Sequence, residues 1–198
     1  MVVVAASLGG PSAVAQVLAG LPADFPAAMV VVQHRTPAAD VSFVESLQWR
    51  TALPVSLARD GHPIAGPGVA VLPARHTAAV KDAQLWPRPA GSAHTADPLV
   101  TSVAHAYGPR AIAAVLTGRL TDGAAGIRAV KGHGGRTMVQ DPRTAKAGDM
   151  PGAALATGCV DLVLPLGHIS HALVALTMAP GAAELFRVPP TPWAEFAA

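Results

Sequence analysis

Short runs of apolar residues alternate along the chain with stretches in which apolar positions recur at helical spacing. The runs predict seven strands, at residues 1–5, 28–33, 54–58, 68–72, 111–116, 136–139 and 160–164. The helical pattern falls at residues 11–19, 41–49, 99–107, 122–132, 150–156 and 168–178. Because these strands are apolar at nearly every position, both faces of their sheet must be covered. The pattern therefore predicts a doubly wound α/β fold, with a mostly parallel sheet and helices on both faces.

Two segments depart from this alternation. Residues 77–85 alternate between apolar and polar positions, and we expect them to form an exposed hairpin arm with the preceding strand. Residues 86–98 contain three prolines and a glycine, which favours an ordered surface loop. We expect one folded domain over residues 1–178, followed by a proline-rich tail at residues 179–198.

Composition narrows the class of protein. Of the 198 residues 51% are hydrophobic and 13% charged, and the formal net charge is +2, with no cluster of basic residues. These values argue against a nucleic-acid partner, and no apolar run is long enough for membrane insertion. The single cysteine, Cys159, fits a reducing cytoplasm, and we expect it to pack as a small buried hydrophobe. The eight histidines lack the spacing of metal ligands, so we expect no metal and no other cofactor.

Polar residues follow several of the predicted strands at the point where each strand ends. Ser7 follows the first strand, His34 follows the second, and Asp122 lies in the loop after residues 111–116. The carboxyl ends of parallel strands meet at one edge, so these side chains can form a nucleophile, a base and an orienting carboxylate. Taken singly, Ser7 and Asp122 could each cap the helix that follows, and His34 could be an ordinary edge histidine. Their joint appearance favours the catalytic set.

The same residues lie within a longer ordered pattern. It comprises AASLGG at residues 5–10, VVVQH at 30–34, DGHPIAGPGVAVLP at 60–73, VLTGRLTDGAAG at 115–126, QDPRTA at 140–145 and GCVDLVLP at 158–165. In this order the pattern resembles the catalytic domain of the chemotaxis protein-glutamate methylesterases, the CheB family. The resemblance runs from residue 3 to about residue 178, and the combination of motifs is more specific than any one of them.

The resemblance implies an esterase that removes methyl groups from glutamate side chains of chemoreceptors, and that can also deamidate particular glutamines. By position, Ser7 would be the nucleophile, His34 the general base, and Asp122 the carboxylate that orients His34. The backbone N–H groups of Leu8 and Arg119 would form the oxyanion hole. A methylated chemoreceptor or similar protein would be the substrate.

Several positions depart from the family pattern, and they cluster near the proposed site. Leu8 replaces a small or hydroxylated residue, and Arg119 replaces a methionine. Leu120 replaces a glycine, which matters if this residue has a positive φ. A family segment written H-R-P-S-x-D retains only Asp97 in register. The family also carries an N-terminal receiver domain, which these residues lack. We therefore expect either a stand-alone esterase or a fragment, with no phosphorylation control within these residues.

Two other classes of function stay open from the sequence. The first is a CheB-like binding module that is catalytically impaired by Leu8, Arg119 and Leu120, or an esterase with a different substrate. The second is a nucleotide-binding domain that uses the first turn to hold phosphate. The second has weak support, because residues 7–10 lack both the G-x-G-x-x-G spacing and a P-loop lysine.

Overall fold

The structure, a computed structural model, describes residues 1–179. It is organised around a seven-stranded sheet with strand order β10-β9-β8-β1-β2-β5-β3, in which every neighbouring pair is parallel. Its strands are β1 (Val2–Ala6), β2 (Ala28–Gln33), β3 (Val55–Leu57), β5 (Gly68–Val71), β8 (Ile112–Val115), β9 (Arg136–Gln140) and β10 (Leu162–Leu164). The prediction of a doubly wound, mostly parallel α/β fold is confirmed.

Helices cover both faces of this sheet, as predicted. They are α1 (Gly10–Ala19), α2 (Asp40–Gln48), α3 (Ala96–Tyr107), α4 (Ala124–Gly132), α5 (Asp149–Leu155) and α6 (Leu166–Met178). Alternate residues of β1 enter two separate cores. Val2 and Val4 pack with residues of α1, α2 and α6, whereas Val3 and Ala5 pack with residues of α3, α4 and α5. Burial on both faces explains why this strand is apolar throughout.

The chain order of the strands changes direction beside β1. From β1 the sheet grows through β2 toward one edge, and it later returns to add β8 on the other side of β1. Ligands of open parallel sheets gather outside the carboxyl ends of the strands at such a switch point. Ser7 and the loop after β8 therefore meet where the topology itself leaves a crevice.

The prediction that residues 77–85 form a hairpin with the preceding strand is wrong about the strand with which they pair. A second, three-stranded sheet contains β4 (His62–Pro63), β6 (His76–Lys81) and β7 (Gln84–Pro89), and β6 pairs antiparallel with β7 rather than with the strand that precedes it. Asp82 and Ala83 form the tight turn, with φ of 52° and 55°. Two successive residues of positive φ suit a two-residue hairpin loop. The sequence lacks the Asn-Gly signal that usually reveals such a turn.

The predicted surface loop at residues 86–98 is also too long, since β7 reaches Pro89 and α3 begins at Ala96. Proline is tolerated in β7 because β4 pairs only with its first two residues. Beyond Leu85, the side of β7 away from β6 has no strand partner among residues 1–179, so a missing N–H there breaks no ladder bond.

The remaining sequence predictions concern single features. Cys159 is fully buried, as expected. No helix within residues 1–179 is long and apolar enough to cross a membrane. The tail predicted for residues 179–198 lies outside the described residues, apart from Ala179.

Candidate active site

The turn after β1 holds Ser7 by its backbone. The Ser7 N–H donates to the Thr117 carbonyl (3.0 Å), and the Ser7 carbonyl accepts from the N–H of Gly10 (2.8 Å). The N-cap of α1 is Gly9, with a left-handed φ of 82°, and no side chain caps this helix. The alternative in which Ser7 caps α1 is therefore wrong. Among residues 1–179 its hydroxyl has no hydrogen-bond partner.

His34 follows β2 and reaches across the carboxyl edge of the sheet. Its N–H donates to the Ala6 carbonyl (3.1 Å), which fixes its backbone beside the end of β1. Its ring Nε2 is 2.8 Å from Oδ2 of Asp122. The His34 side chain is 22% exposed and that of Asp122 only 1%. The structure thus brings these two predicted residues into direct contact across 88 positions of sequence.

Asp122 does not cap the helix that follows it, so this alternative is also wrong. Its carboxylate instead accepts hydrogen bonds at the start of α3, from the N–H groups of Thr95 (2.8 Å), Ala96 (2.9 Å) and Asp97 (3.0 Å). These are N–H groups that a helix leaves without internal partners, and they lie at the positive end of its dipole.

These hydrogen bonds decide the charge of Asp122. Burial by itself would raise the pKa of this carboxyl, but the hydrogen bond from His34 and those from the backbone of Ala96 and Asp97 outweigh burial and lower it. Asp122 is therefore ionised at neutral pH. An ionised carboxylate at 2.8 Å fixes the orientation of the imidazole and can stabilise an imidazolium ion.

Asp97 mirrors this arrangement. Its Oδ1 accepts from the N–H groups of Gly123 (2.9 Å) and Gly126 (2.8 Å) at the start of α4. Asp122, on the loop before α4, thus caps α3, and Asp97, on α3, caps α4. Burial, helped by the nearby Asp122 charge, raises the pKa of the Asp97 carboxyl. These reciprocal hydrogen bonds hold α3 and α4 together. They give a structural role to Asp97, the one residue that matches the H-R-P-S-x-D segment of the family.

Ser7 and His34 line one cleft, together with Leu8, Ser12 and Lys146. Because Nε2 of His34 is engaged by Asp122, Nδ1 is the ring nitrogen that can accept a proton from a group in this cleft. Nδ1 has no hydrogen-bond partner within residues 1–179. In the chymotrypsin-type triad the two nitrogens have the opposite assignment. The ring can serve in either sense, since both nitrogens can carry or accept a proton.

Two backbone N–H groups near Ser7 have no acceptor within residues 1–179. The N–H groups of Leu8 and Arg119 donate to no residue in the described part of the chain, whereas the neighbouring N–H of Gly118 is bound to the Ala147 carbonyl (2.9 Å). Gly118 packs directly against the Ser7 side chain, because a Cβ at residue 118 would lie 2.8 Å from that of Ser7. The loop therefore approaches the serine so closely that residue 118 has no room for a side chain.

The structure clarifies the departures from the family pattern. Leu120 has a φ of 68°, the left-handed conformation that favours glycine, so its side chain strains the loop. Leu8 and Leu120 are 42% and 60% exposed, and neither side chain is packed in the core. Arg119 is exposed as well. None of the three changes removes a backbone N–H.

Sequence reasoning missed Gln33, which links the two proposed reactive residues. Its Nε2 donates to the carbonyls of both Ser7 (2.8 Å) and His34 (3.0 Å). Two carbonyl acceptors fix the orientation of this amide. The side chain also fills the space beside Gly10, where any Cβ would collide with it. The only sequence signal is a polar residue at the end of an otherwise apolar strand.

Thr117 is the second residue that sequence reasoning missed. Its hydroxyl donates to the Leu8 carbonyl (2.9 Å) and accepts from the N–H of Ala147 (2.9 Å). Its own N–H donates to the side chain of Gln140 (3.0 Å). Thr117 therefore connects the turn after β1 with the loop after β8, and it fixes their separation.

These features together define a parallel α/β domain with a serine, a histidine and an aspartate at the carboxyl edge of its sheet. The family model described as CheB methylesterase matches residues 2–173. The chain therefore belongs to the CheB methylesterase family, as its motifs suggested.

Individual relatives agree with this assignment. The chain is 41% identical over 181 residues to a protein-glutamate methylesterase/protein-glutamine glutaminase of Anaeromyxobacter dehalogenans, covering 89% of the chain and 53% of that protein. It is 38% identical over 196 residues to the corresponding protein of Moorella thermoacetica, with 91% and 45% covered. The chain thus spans about half the length of these curated relatives.

A solved structure matches the fold. The crystal structure of the Thermotoga maritima CheB methylesterase catalytic domain superposes with a TM-score of 0.81 at 30% identity, covering 88% of this chain and 97% of that one. Family membership favours the hydrolase over a binding module or a nucleotide-binding domain.

Proposed function

We propose that this chain hydrolyses γ-methyl esters of glutamate residues in chemoreceptor-like proteins, with Ser7 as nucleophile, His34 as general base and Asp122 as orienting carboxylate. The observation that carries the proposal is the 2.8 Å contact between His34 and the buried Asp122, beside a serine in the same cleft. Family membership supports the substrate class, and the names of the relatives include glutaminase activity.

The first half of the reaction forms an acyl-enzyme. His34 Nδ1 takes the hydroxyl proton as Ser7 Oγ attacks the ester carbonyl, and the ionised Asp122 stabilises the resulting imidazolium. The negative charge on the tetrahedral oxygen is stabilised by the N–H groups of Leu8 and Arg119. The carbon–oxygen bond to the methoxy group then breaks, and His34 returns the proton, so that methanol leaves.

The second half reverses these roles with water. His34 takes a proton from water as its oxygen attacks the Ser7 ester, and the proton passes to Ser7 Oγ when that bond breaks. The products are free glutamate and the original hydroxyl. The same steps on a glutamine side chain would release ammonia in place of methanol. Every proton is carried by groups of this chain, so the scheme uses no cofactor.

We place the substrate on the cytoplasmic part of a chemoreceptor, and we take residues 1–178 as the catalytic unit. The single cysteine supports a reducing compartment. The family match over residues 2–173 supports the extent of the unit.

Methanol release from methylated chemoreceptor membranes tests this function. We expect release by the wild-type chain and a loss of roughly 10³-fold or more in Ser7→Ala, because the acyl-enzyme can no longer form. Ser12→Ala is the matched control, since it removes a hydroxyl from the same cleft without touching the proposed triad. Equal release by wild type and Ser7→Ala would refute the assignment of the nucleophile, and no release by wild type would refute the substrate class.

A further inference from the structure

A second cavity adjoins the proposed active site. It has a volume of about 420 Å³, and Gln33 and His34 line both this cavity and the cleft that contains Ser7. Its lining also includes the half-buried apolar residues Pro73 and Ala90. A group bound there would therefore lie beside His34 and next to the cleft that contains Ser7.

The charged residues that line this cavity are basic. They are Arg35 and Arg75, joined by the histidines His34 and His76, and no aspartate or glutamate is among its lining residues. The Arg35 side chain is only 7% exposed and is paired with Asp40 at 2.6 Å, yet its Nε is buried without a hydrogen-bond partner. The Arg35 charge is therefore paired with Asp40, and Arg75 is the other arginine that lines the cavity.

Arg75 is the uncompensated charge. Within residues 1–179 its guanidinium forms no ion pair and no hydrogen bond. Its backbone has a φ of 58°, in the region that favours glycine, and a hydrogen bond from the Ala90 N–H to its carbonyl (2.9 Å) holds the turn. Strained non-glycine residues of this kind are concentrated at binding and catalytic sites.

We propose that this cavity binds an acidic side chain of the protein substrate, adjacent in sequence to the ester-bearing glutamate, with Arg75 as its counter-ion. The inference rests on the proposed function for the identity of the substrate. A glutamate suits the lining, because its methylene groups can contact the half-buried Pro73 while its carboxylate pairs with the guanidinium. Arg75 is then a specificity-determining residue rather than a catalytic one.

Direct binding to the Ser7→Ala protein tests this, because that variant cannot consume the ester. Two synthetic peptides carry a central γ-methyl glutamate, flanked on each side by two glutamates in one peptide and by two glutamines in the other. We expect fluorescence anisotropy to give a Kd about tenfold lower for the glutamate peptide, which corresponds to about 1.4 kcal/mol. Adding Arg75→Gln should bring the ratio to about one, and Arg75→Glu should reverse the preference.

Arg128→Gln in the same background is the matched control, because it removes an exposed arginine of α4 that does not line the cavity. It should keep the tenfold preference, which separates local recognition from net charge. Equal binding of the two peptides, or a preference that survives Arg75→Gln, would overturn the inference. These readings do not depend on turnover, so a chain that binds the glutamate peptide through Arg75 but releases no methanol would refute the proposed function alone.

Discussion

The polar groups on the two sides of the His34 imidazole differ in whether they are already hydrogen-bonded. Toward Asp122, a buried carboxylate accepts hydrogen bonds from the imidazole and from the first turn of α3. Toward Ser7, the hydroxyl, the Nδ1 nitrogen and two backbone N–H groups have no partner within residues 1–179. Groups that are already satisfied can only hold geometry, whereas unsatisfied groups are available to a ligand. The first side fixes the imidazole, and the second side is open to the substrate that we propose.

The largest effect should come from Asp122→Asn, on the side of His34 that faces Asp122. We expect kcat to fall by roughly 10²- to 10⁴-fold, because a neutral amide cannot stabilise the imidazolium and can favour the wrong tautomer. Methanol release gives the rate. Asp161→Asn is the control, since it neutralises another buried carboxylate, one that binds Lys131 and Thr137 away from the cleft. Equal losses in the two variants would show that buried charge in general, rather than the contact with His34, is responsible.

The same variant should change how stability depends on pH. The pKa of Asp122 is lowered in the folded protein, so its ionised form stabilises the fold at pH values above the unfolded pKa of about 3.9. That contribution is lost as pH falls through the lower, folded pKa. We therefore expect the difference in unfolding free energy between wild type and Asp122→Asn to shrink as the pH falls below about pH 4. Urea unfolding at several pH values measures it, and a difference that does not shrink below about pH 4 would contradict the prediction.

Gln33 joins the two sides, and Gln33→Met should have an intermediate effect. The change leaves the carbonyls of Ser7 and His34 without this donor, so we expect kcat to fall about tenfold with little change in KM, and stability to fall by about 1–3 kcal/mol. Gln48→Met is a matched control, because the Gln48 amide also bridges two carbonyls, those of Thr51 and Leu53, but at the end of α2. It should lower stability without lowering kcat. An unchanged kcat in Gln33→Met would show that its amide does not position the reactive pair.

The smallest effect should come from Leu120→Gly, in the loop after β8 on the Ser7 side of His34. Glycine relieves the left-handed strain at φ 68°, and it removes a side chain that is 60% exposed, so little burial is lost. We expect a gain of about 0.5–1 kcal/mol in unfolding free energy, measured by denaturant titration. Leu155→Gly, at an exposed position in α5, should instead lose about 1 kcal/mol. A loss of stability in Leu120→Gly would mean that the side chain contributes more than its strain costs.

Much of the fold could be predicted because burial on both faces of the sheet leaves a continuous apolar signal. The errors lie where that signal is absent. The prolines at residues 87 and 89 predict a loop, but they lie in β7, where the unpaired side of the strand tolerates them. The β6–β7 turn has no strong sequence signal, because Asp82 and Ala83 are an uncommon pair for positive φ.

Local periodicity and chain order are enough to predict the strands of the parallel sheet, the helices that cover it, and the polar residues that follow each strand. The contacts that those polar residues make depend on the packing of the folded chain. This packing turned the Asp122 carboxylate toward the first turn of α3 rather than that of α4, turned Nε2 of His34 toward that carboxylate, and put the Gln33 amide between two carbonyls. Each of these contacts depends on how distant segments pack, and packing geometry leaves no periodic trace in the chain.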